Sequence, residues 1–183
     1  RRHESDHTHL VPDFSEMTAL NTLCIHFDKS LKAKGCSLSV DLDQFQDMSS
    51  LRSLTIRNCN ITSTYSLAFD GMIASGLKSF VLENCSSTVL GIHEIINVLP
   101  SSLTRIDIQG FNGSASWIPV RMREFSKLTR LTINDSNPNL DQLTHMIKSG
   151  TSLKYLSLLY VEGSNTSTLI DAIGNHTGLT ELY

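Results

Sequence analysis

Residues 51–61 of the chain read LRSLTIRNCNI, with leucine or isoleucine at the first, fourth and sixth positions of the stretch. The same apolar spacing recurs along the 183-residue sequence, 31, 26, 26, 25, 25 and 26 residues apart. It begins each time at a leucine: Leu20, Leu51, Leu77, Leu103, Leu128, Leu153 and Leu179. A period of about 25 residues is typical of architectures in which short units stack on one another.

Each unit predicts one short strand. The spacing puts the fourth and sixth residues on one face and the third, fifth and seventh on the other. Helical spacing occurs between the strands, as Leu143/Met146/Ile147, Leu169/Ile170/Ile173, Phe14/Met17, Phe45/Met48 and Met122/Phe125. A unit this small cannot bury its apolar side alone, so neighbouring units must stack. The sequence therefore predicts an α/β protein with a parallel sheet on one side and short helices on the other.

This pattern resembles the leucine-rich repeat superfamily, whose consensus continues with Asn or Cys at the ninth position. Cys59 and Cys85 match that position, where the family places a buried group that bonds the backbone. The resemblance covers residues 20–183 and implies a right-handed solenoid with a parallel sheet on the concave face and short helices or turns on the convex face. The other ninth positions depart from the consensus, so the subfamily stays open: Asp28, Phe111, Ser136 and Val161.

Two domain assignments follow from the repeat. Residues 1–19 form a polar N-terminal segment and the start of the first unit, with a further polar insertion expected near residues 32–35. Residues 20–183 form a repeat domain of about seven units, the last of them incomplete. Because the ends of a stack need polar caps, we expect further repeats beyond the seventh strand.

The third, fifth and seventh residues of each unit are predicted to line the concave face. They are mixed and polar in the middle units and richer in aromatic side chains toward the carboxy-terminal end. Tyrosines are enriched at the centres of protein interfaces. We therefore expect a protein or glycoprotein partner to contact this face through Arg57, Glu83, Arg105, Asp107, Arg130, Tyr155, Leu159, Tyr160 and Tyr183. The oligomeric state stays open.

Composition and motifs argue against other classes. A formal net charge of −3 gives no field that would attract nucleic acid, and no apolar run is long enough to insert into a membrane. His3-Glu4-Ser5-Asp6-His7 has the HExxH spacing of a zinc site, but it is terminal and polar and lacks a third ligand at a recognised spacing. We predict no catalytic residues, no metal and no cofactor.

The compartment stays open, with a lean to the cell surface or the extracellular space over the cytoplasm. Six Asn-x-Ser/Thr sequons favour a glycoprotein. The candidate glycosylation sites are Asn60, Asn84, Asn112, Asn165 and Asn175, while a glycan on the sixth, Asn134, would sit on the sheet. The absence of a clustered cysteine cap favours the cytosol, and the pairing of Cys24, Cys36, Cys59 and Cys85 is not fixed by sequence.

The sequence thus favours a non-enzymatic recognition module, as a fragment of a receptor or adhesion ectodomain. The first alternative is an intracellular adaptor, such as the substrate-recognition part of an F-box ubiquitin ligase. Residues 59–62 resemble the cysteine-containing repeats of those proteins. Prolines at Pro100 and Pro119 are more similar to extracellular and microbial repeats. A GTPase-activating or other enzymatic role is the least favoured reading.

Overall fold

A computed structural model describes the protein at residues 9–10, 12–14, 16–32, 37–62, 76–113, 125–134, 136, 138, 140–160 and 166–183. It is an α/β protein with a mostly parallel sheet and few helices among these residues. In chain order the elements are β1 (His9–Leu10), β2 (Thr22–His26), α1 (Lys29–Lys32), β3 (Ser37–Asp41), a 3-10 helix (Leu42–Phe45), β4 (Ser53–Arg57), β5 (Asn60–Thr62), β6 (Ser79–Glu83), α2 (Ile92–Val98), β7 (Arg105–Gln109), β8 (Arg130–Asn134), α3 (Leu140–Ser149), β9 (Tyr155–Ser157), α4 (Thr166–Gly174) and β10 (Glu181–Leu182).

The seven predicted strands form one sheet in the described part of the chain, with spatial order β10-β9-β8-β7-β6-β4-β2. All neighbours pair in parallel, and each strand pairs with its predecessor in the repeat. The register aligns the third residues of successive units, which are Thr22, Ser53, Ser79, Arg105, Arg130, Tyr155 and Glu181. The columns predicted from the spacing are therefore confirmed as register partners.

The core lies on the face of this sheet that carries the fourth and sixth residues of each unit. From the second to the sixth unit the leading leucines and the fourth residues are fully buried, including Leu54, Phe80 and Ile106. Fully burying one such side chain contributes roughly 1.5–3 kcal/mol relative to exposure. Burial weakens at both ends of the sheet, where Leu23 is half-buried and Leu182 is 56% exposed.

A second parallel sheet, of order β1-β3-β5, was not predicted from the sequence. Its strand β1 lies within residues 1–19, which were predicted as a polar N-terminal segment and the start of the first unit, and it pairs with β3. Val40 of β3 and Ile61 of β5 are fully buried. Single bridges continue the line beyond β5, from Asn60 to Ser86 and from Ser86 to Asn112. Extended segments, rather than helices alone, thus connect the first units.

The helices partly confirm the predicted spacing. In α3 the expected residues Leu143, Met146 and Ile147 are buried. In α4 Leu169 is buried, but Ile170 is 64% exposed. The predicted helix is present, and Ile170 lies on its exposed side because neighbouring residues of a helix point in different directions. No described helix is long and apolar enough to cross a membrane.

A left-handed residue follows each of four strands, at the eighth position of its unit. These residues are Asn58 (φ 58°), Asn84 (φ 51°), Gly110 (φ 61°) and Tyr160 (φ 56°). Asparagine and glycine tolerate this conformation, whereas a bulky side chain is strained by contact between Cβ and the backbone. Three of the four positions therefore carry the residue types that the turn requires, and Tyr160 is the exception.

The Asn58 and Cys85 side chains tie these turns to the preceding unit, and Cys59 bonds the backbone of its own unit. The Asn58 amide Nδ2 donates to the carbonyl of Phe27 at 2.9 Å. The Cys59 thiol donates to the carbonyl of Arg57 at 3.1 Å, and the Cys85 thiol to that of Ile56 at 3.5 Å. These are the buried, backbone-bonding positions that the family resemblance implied for the ninth residues.

Candidate binding face

The outer face of the large sheet carries the third, fifth and seventh residues of each unit, and it holds most of the predicted partner contacts. Its central column is buried over the middle strands, at Val81, Asp107, Thr132 and Ser157. The flanking columns, which include Arg57, Arg105 and Tyr155, remain partly exposed. The two flanking columns, rather than the central one, are thus the accessible parts of this face.

Arg57 and Glu83 form a bidentate ion pair across neighbouring strands. The Arg57 Nε lies 2.6 Å from one carboxylate oxygen of Glu83, and Nη2 lies 3.1 Å from the other. The hydrogen bond and the negative charge of Glu83 raise the pKa of the Arg57 guanidinium. Both side chains are partly exposed, so the pair adds about 0–1 kcal/mol to stability. The two predicted contacts Arg57 and Glu83 therefore satisfy each other.

Asp107 organises the middle of the outer face. The residue is only 3% exposed, and its carboxylate accepts hydrogen bonds from Arg105 Nη2 at 2.8 Å and from Gln109 Nε2 at 2.7 Å. A carboxylate this buried is held by its donors rather than by solvent. Asp107 was predicted as a partner contact, and in the structure it positions the exposed Arg105 instead of facing outward.

Arg130 stacks on the aromatic end of the same face. Its guanidinium carbon lies 3.7 Å from the centre of the Tyr155 ring, a cation–π contact worth about 0.5–1 kcal/mol at a partly exposed site. The Tyr155 and Tyr183 rings are 5.5 Å apart and tilted by 34°. The Arg130 side chain donates no hydrogen bond to any described residue, and its buried Nε has no acceptor among them. Within the described part of the chain, the contact that holds the guanidinium is the Tyr155 ring.

The tyrosine patch, defined as Tyr155, Leu159, Tyr160 and Tyr183, lies at the carboxy-terminal end of the outer face. Leu159 is exposed, Tyr160 is 81% exposed and Tyr183 is 61% exposed. The chain at Leu159 is fixed because its N–H donates to the Asn134 side-chain oxygen at 2.9 Å. The structure thus joins Tyr155 to Tyr183 and presents Leu159 and Tyr160 at the end of strand β9.

Sequence reasoning missed three contributors to this site. Gln109 holds Asp107 of its own strand, and Asn134 holds the Leu159 backbone of the next unit. No apolar spacing rule marks such polar side chains. The left-handed conformation of Tyr160 was also missed. A signal for the turn was present in the sequence, because Asn58 and Asn84 recur at the same position of their units.

The glycosylation candidates differ in accessibility. Asn84, Asn112 and Asn175 are exposed. Asn60 is half-buried, and its amide donates to Ser39 Oγ at 3.2 Å. Asn165 lies outside the described residues. Three of the four candidates that the structure describes are therefore exposed.

The described cysteines are free thiols in two environments. Burial raises the pKa of the Cys59 thiol to about 12, with a further contribution from Cys85, whose own pKa is also raised by burial. Cys24 is exposed, and Cys36 lies outside the described residues. No group of three potential metal ligands occurs in the described part of the chain, and the HExxH stretch lies outside it.

No family model matches the chain, and no curated protein matches it either.

Proposed function

We propose that the chain is a leucine-rich repeat solenoid whose outer face is the concave one. Support comes from the 20 apolar template positions of the repeat and from a parallel register that aligns equivalent residues of successive units. The recurring left-handed turn after the strands adds a third feature with the same period. Each of these is expected when equivalent short units stack in sequence order.

We propose that this solenoid is a non-enzymatic module that binds a protein or glycoprotein partner. The observation that carries the proposal is the tyrosine patch. Tyr160 keeps a strained left-handed backbone although its ring is 81% exposed and gains little packing in the free chain. Strain of this kind is retained where the side chain is used. Exposed tyrosines on a fixed backbone are typical of interface hot spots.

Within that function, a receptor or adhesion ectodomain is the first candidate. Its support is the set of exposed sequons at Asn84, Asn112 and Asn175. An intracellular adaptor, such as the substrate-recognition part of an F-box ubiquitin ligase, is the second, and the exposed free thiol of Cys24 favours it. Expression of the full reading frame in its native cells, followed by glycosidase treatment, separates them. A mass shift supports the ectodomain, and unmodified sequons with reduced thiols support the adaptor.

The recognition function is tested by removing the patch. Proteins from the native source are captured on the wild-type chain, on a Tyr155→Ala/Tyr160→Ala variant and on an Ile170→Ala control. Ile170 is similarly exposed but belongs to helix α4. Because a hot-spot residue contributes about 2 kcal/mol or more, the double variant should bind a genuine partner at least 30-fold more weakly. The control should retain wild-type affinity, and equal affinity in all three chains would refute the proposal.

A further inference from the structure

We propose that the partner presents an acidic segment of its polypeptide, whose carboxylate binds between Arg105 and Arg130 beside the tyrosine patch. This inference rests on the recognition function proposed above and specifies the chemistry of the segment that the outer face accepts. It comes from the distribution of paired and unpaired charges on strands β7 to β9.

The charges on the outer face do not cancel at this point. Arg105 and Arg130 are direct register partners on neighbouring strands, yet only one carboxylate, that of Asp107, lies within ion-pair distance of either among the described residues. On strands β7 to β9, two arginines and one aspartate leave a net charge of +1, while the exposed Glu181 stands in the same column on β10, beyond Tyr155. By contrast, the pair of Arg57 and Glu83 is balanced. Like charges placed side by side on a sheet are unfavourable unless an anion joins them.

Arg130 is oriented for such an anion. Stacking on Tyr155 holds the plane of the Arg130 guanidinium, and no described residue accepts a hydrogen bond from that group. A planar guanidinium binds a carboxylate through two parallel hydrogen bonds, and less side-chain entropy is lost when the group is already held in place. The buried carboxylate of Asp107 similarly fixes Arg105 at 2.8 Å. Both donors are therefore arranged before a ligand arrives.

The net charge of +1 favours a ligand group that carries a single negative charge. A single carboxylate brings −1 and neutralises the local charge of +1. A phosphorylated residue brings about −1.5 to −2 at pH 7 and would leave excess negative charge beside the buried Asp107. The neighbouring Tyr183 and Leu159 are exposed and accept an apolar or aromatic side chain of the same segment. An aspartate or glutamate next to an apolar residue thus fits this surface.

The probe is a phage-displayed library of random twelve-residue peptides, selected on the intact chain. We expect the enriched peptides to carry Asp or Glu beside an apolar residue. Synthetic copies should bind Arg130→Gln and Arg105→Gln chains at least tenfold more weakly. They should bind the Lys148→Gln control, which removes one exposed positive charge from helix α3, within twofold of wild type.

Replacing the peptide's acidic residue with its amide should weaken binding to the wild-type chain at least tenfold. The same replacement should weaken binding to Arg130→Gln by a smaller factor, because only the contact with Arg105 is then left to lose, and a double-mutant cycle measures this difference. Peptides that depend on the tyrosine patch but lack an acidic residue would overturn the inference and leave the recognition function standing. Tighter binding of a phosphoserine peptide than of its glutamate equivalent would also overturn it. Failure to enrich any patch-dependent peptide would count against both proposals.

Discussion

Asn58 offers the sharpest test of the turn that follows each strand. The residue has φ 58°, is largely buried, and donates its amide to the carbonyl of Phe27 at 2.9 Å. It therefore contributes through both its backbone conformation and its side chain. The Asn58→Ala variant removes both contributions, whereas Asn58→Gly removes the hydrogen bond but keeps easy access to the left-handed region.

The expected magnitudes follow from those two contributions. A left-handed backbone costs an alanine roughly 1–2 kcal/mol, and the lost hydrogen bond to a buried carbonyl costs about 1 kcal/mol. Asn58→Ala should therefore lower the free energy of unfolding by about 2–3 kcal/mol, and Asn58→Gly by about 1 kcal/mol. Asn84 is the matched position, because it has φ 51° and is exposed. There alanine should cost roughly 1–2 kcal/mol from the backbone alone, and glycine close to nothing.

The four variants are compared by urea unfolding, followed by far-ultraviolet circular dichroism. An unchanged slope against denaturant ensures that differences in midpoint report stability. The prediction is that alanine costs more than glycine at both positions, and that the loss is larger at 58 than at 84. If alanine and glycine are equivalent at both positions, the left-handed turn is absent in solution and the reasoning is refuted.

Two further predictions concern buried groups of the described chain. Cys24 should react with iodoacetamide at pH 8, while Cys59 should stay unmodified until the protein unfolds, because its pKa of about 12 leaves almost no thiolate. Equal rates in peptide mass spectra would contradict this. Asp107→Asn should lower stability by about 1.5 kcal/mol in thermal unfolding, because the charged acceptor of Arg105 is lost. An unchanged midpoint would show that Asp107 does not hold Arg105.

Much of the large sheet could be predicted from sequence because one rule repeats. Apolar residues at the first, fourth and sixth positions fix the strand, its buried face and its register with the neighbouring unit. Leu54, Phe80 and Ile106 obey that rule and are fully buried side by side. The rule also located the outer columns, since alternate residues of a strand must face the opposite side.

The second sheet followed no such rule. Strands β1, β3 and β5 are short, and their pairing depends on neighbours that lie about 20 to 30 residues away in sequence. The burial of Asp107 was equally out of reach, because apolar spacing does not show that Arg105 and Gln109 of the same strand turn their side chains onto its carboxylate. Local spacing predicts which face a residue occupies, while its exposure on that face is decided by tertiary packing.

The most direct test of protein recognition by the outer face is photo-cross-linking from two positions. p-Benzoylphenylalanine replaces Tyr160 in the patch in one chain and Ile170 on helix α4 in the other, both being exposed sites. Each chain is irradiated with the partner obtained from the patch-dependent capture. We predict a covalent complex from position 160 and none from position 170. Cross-linking from position 170 alone would contradict the claim that the outer face binds the partner.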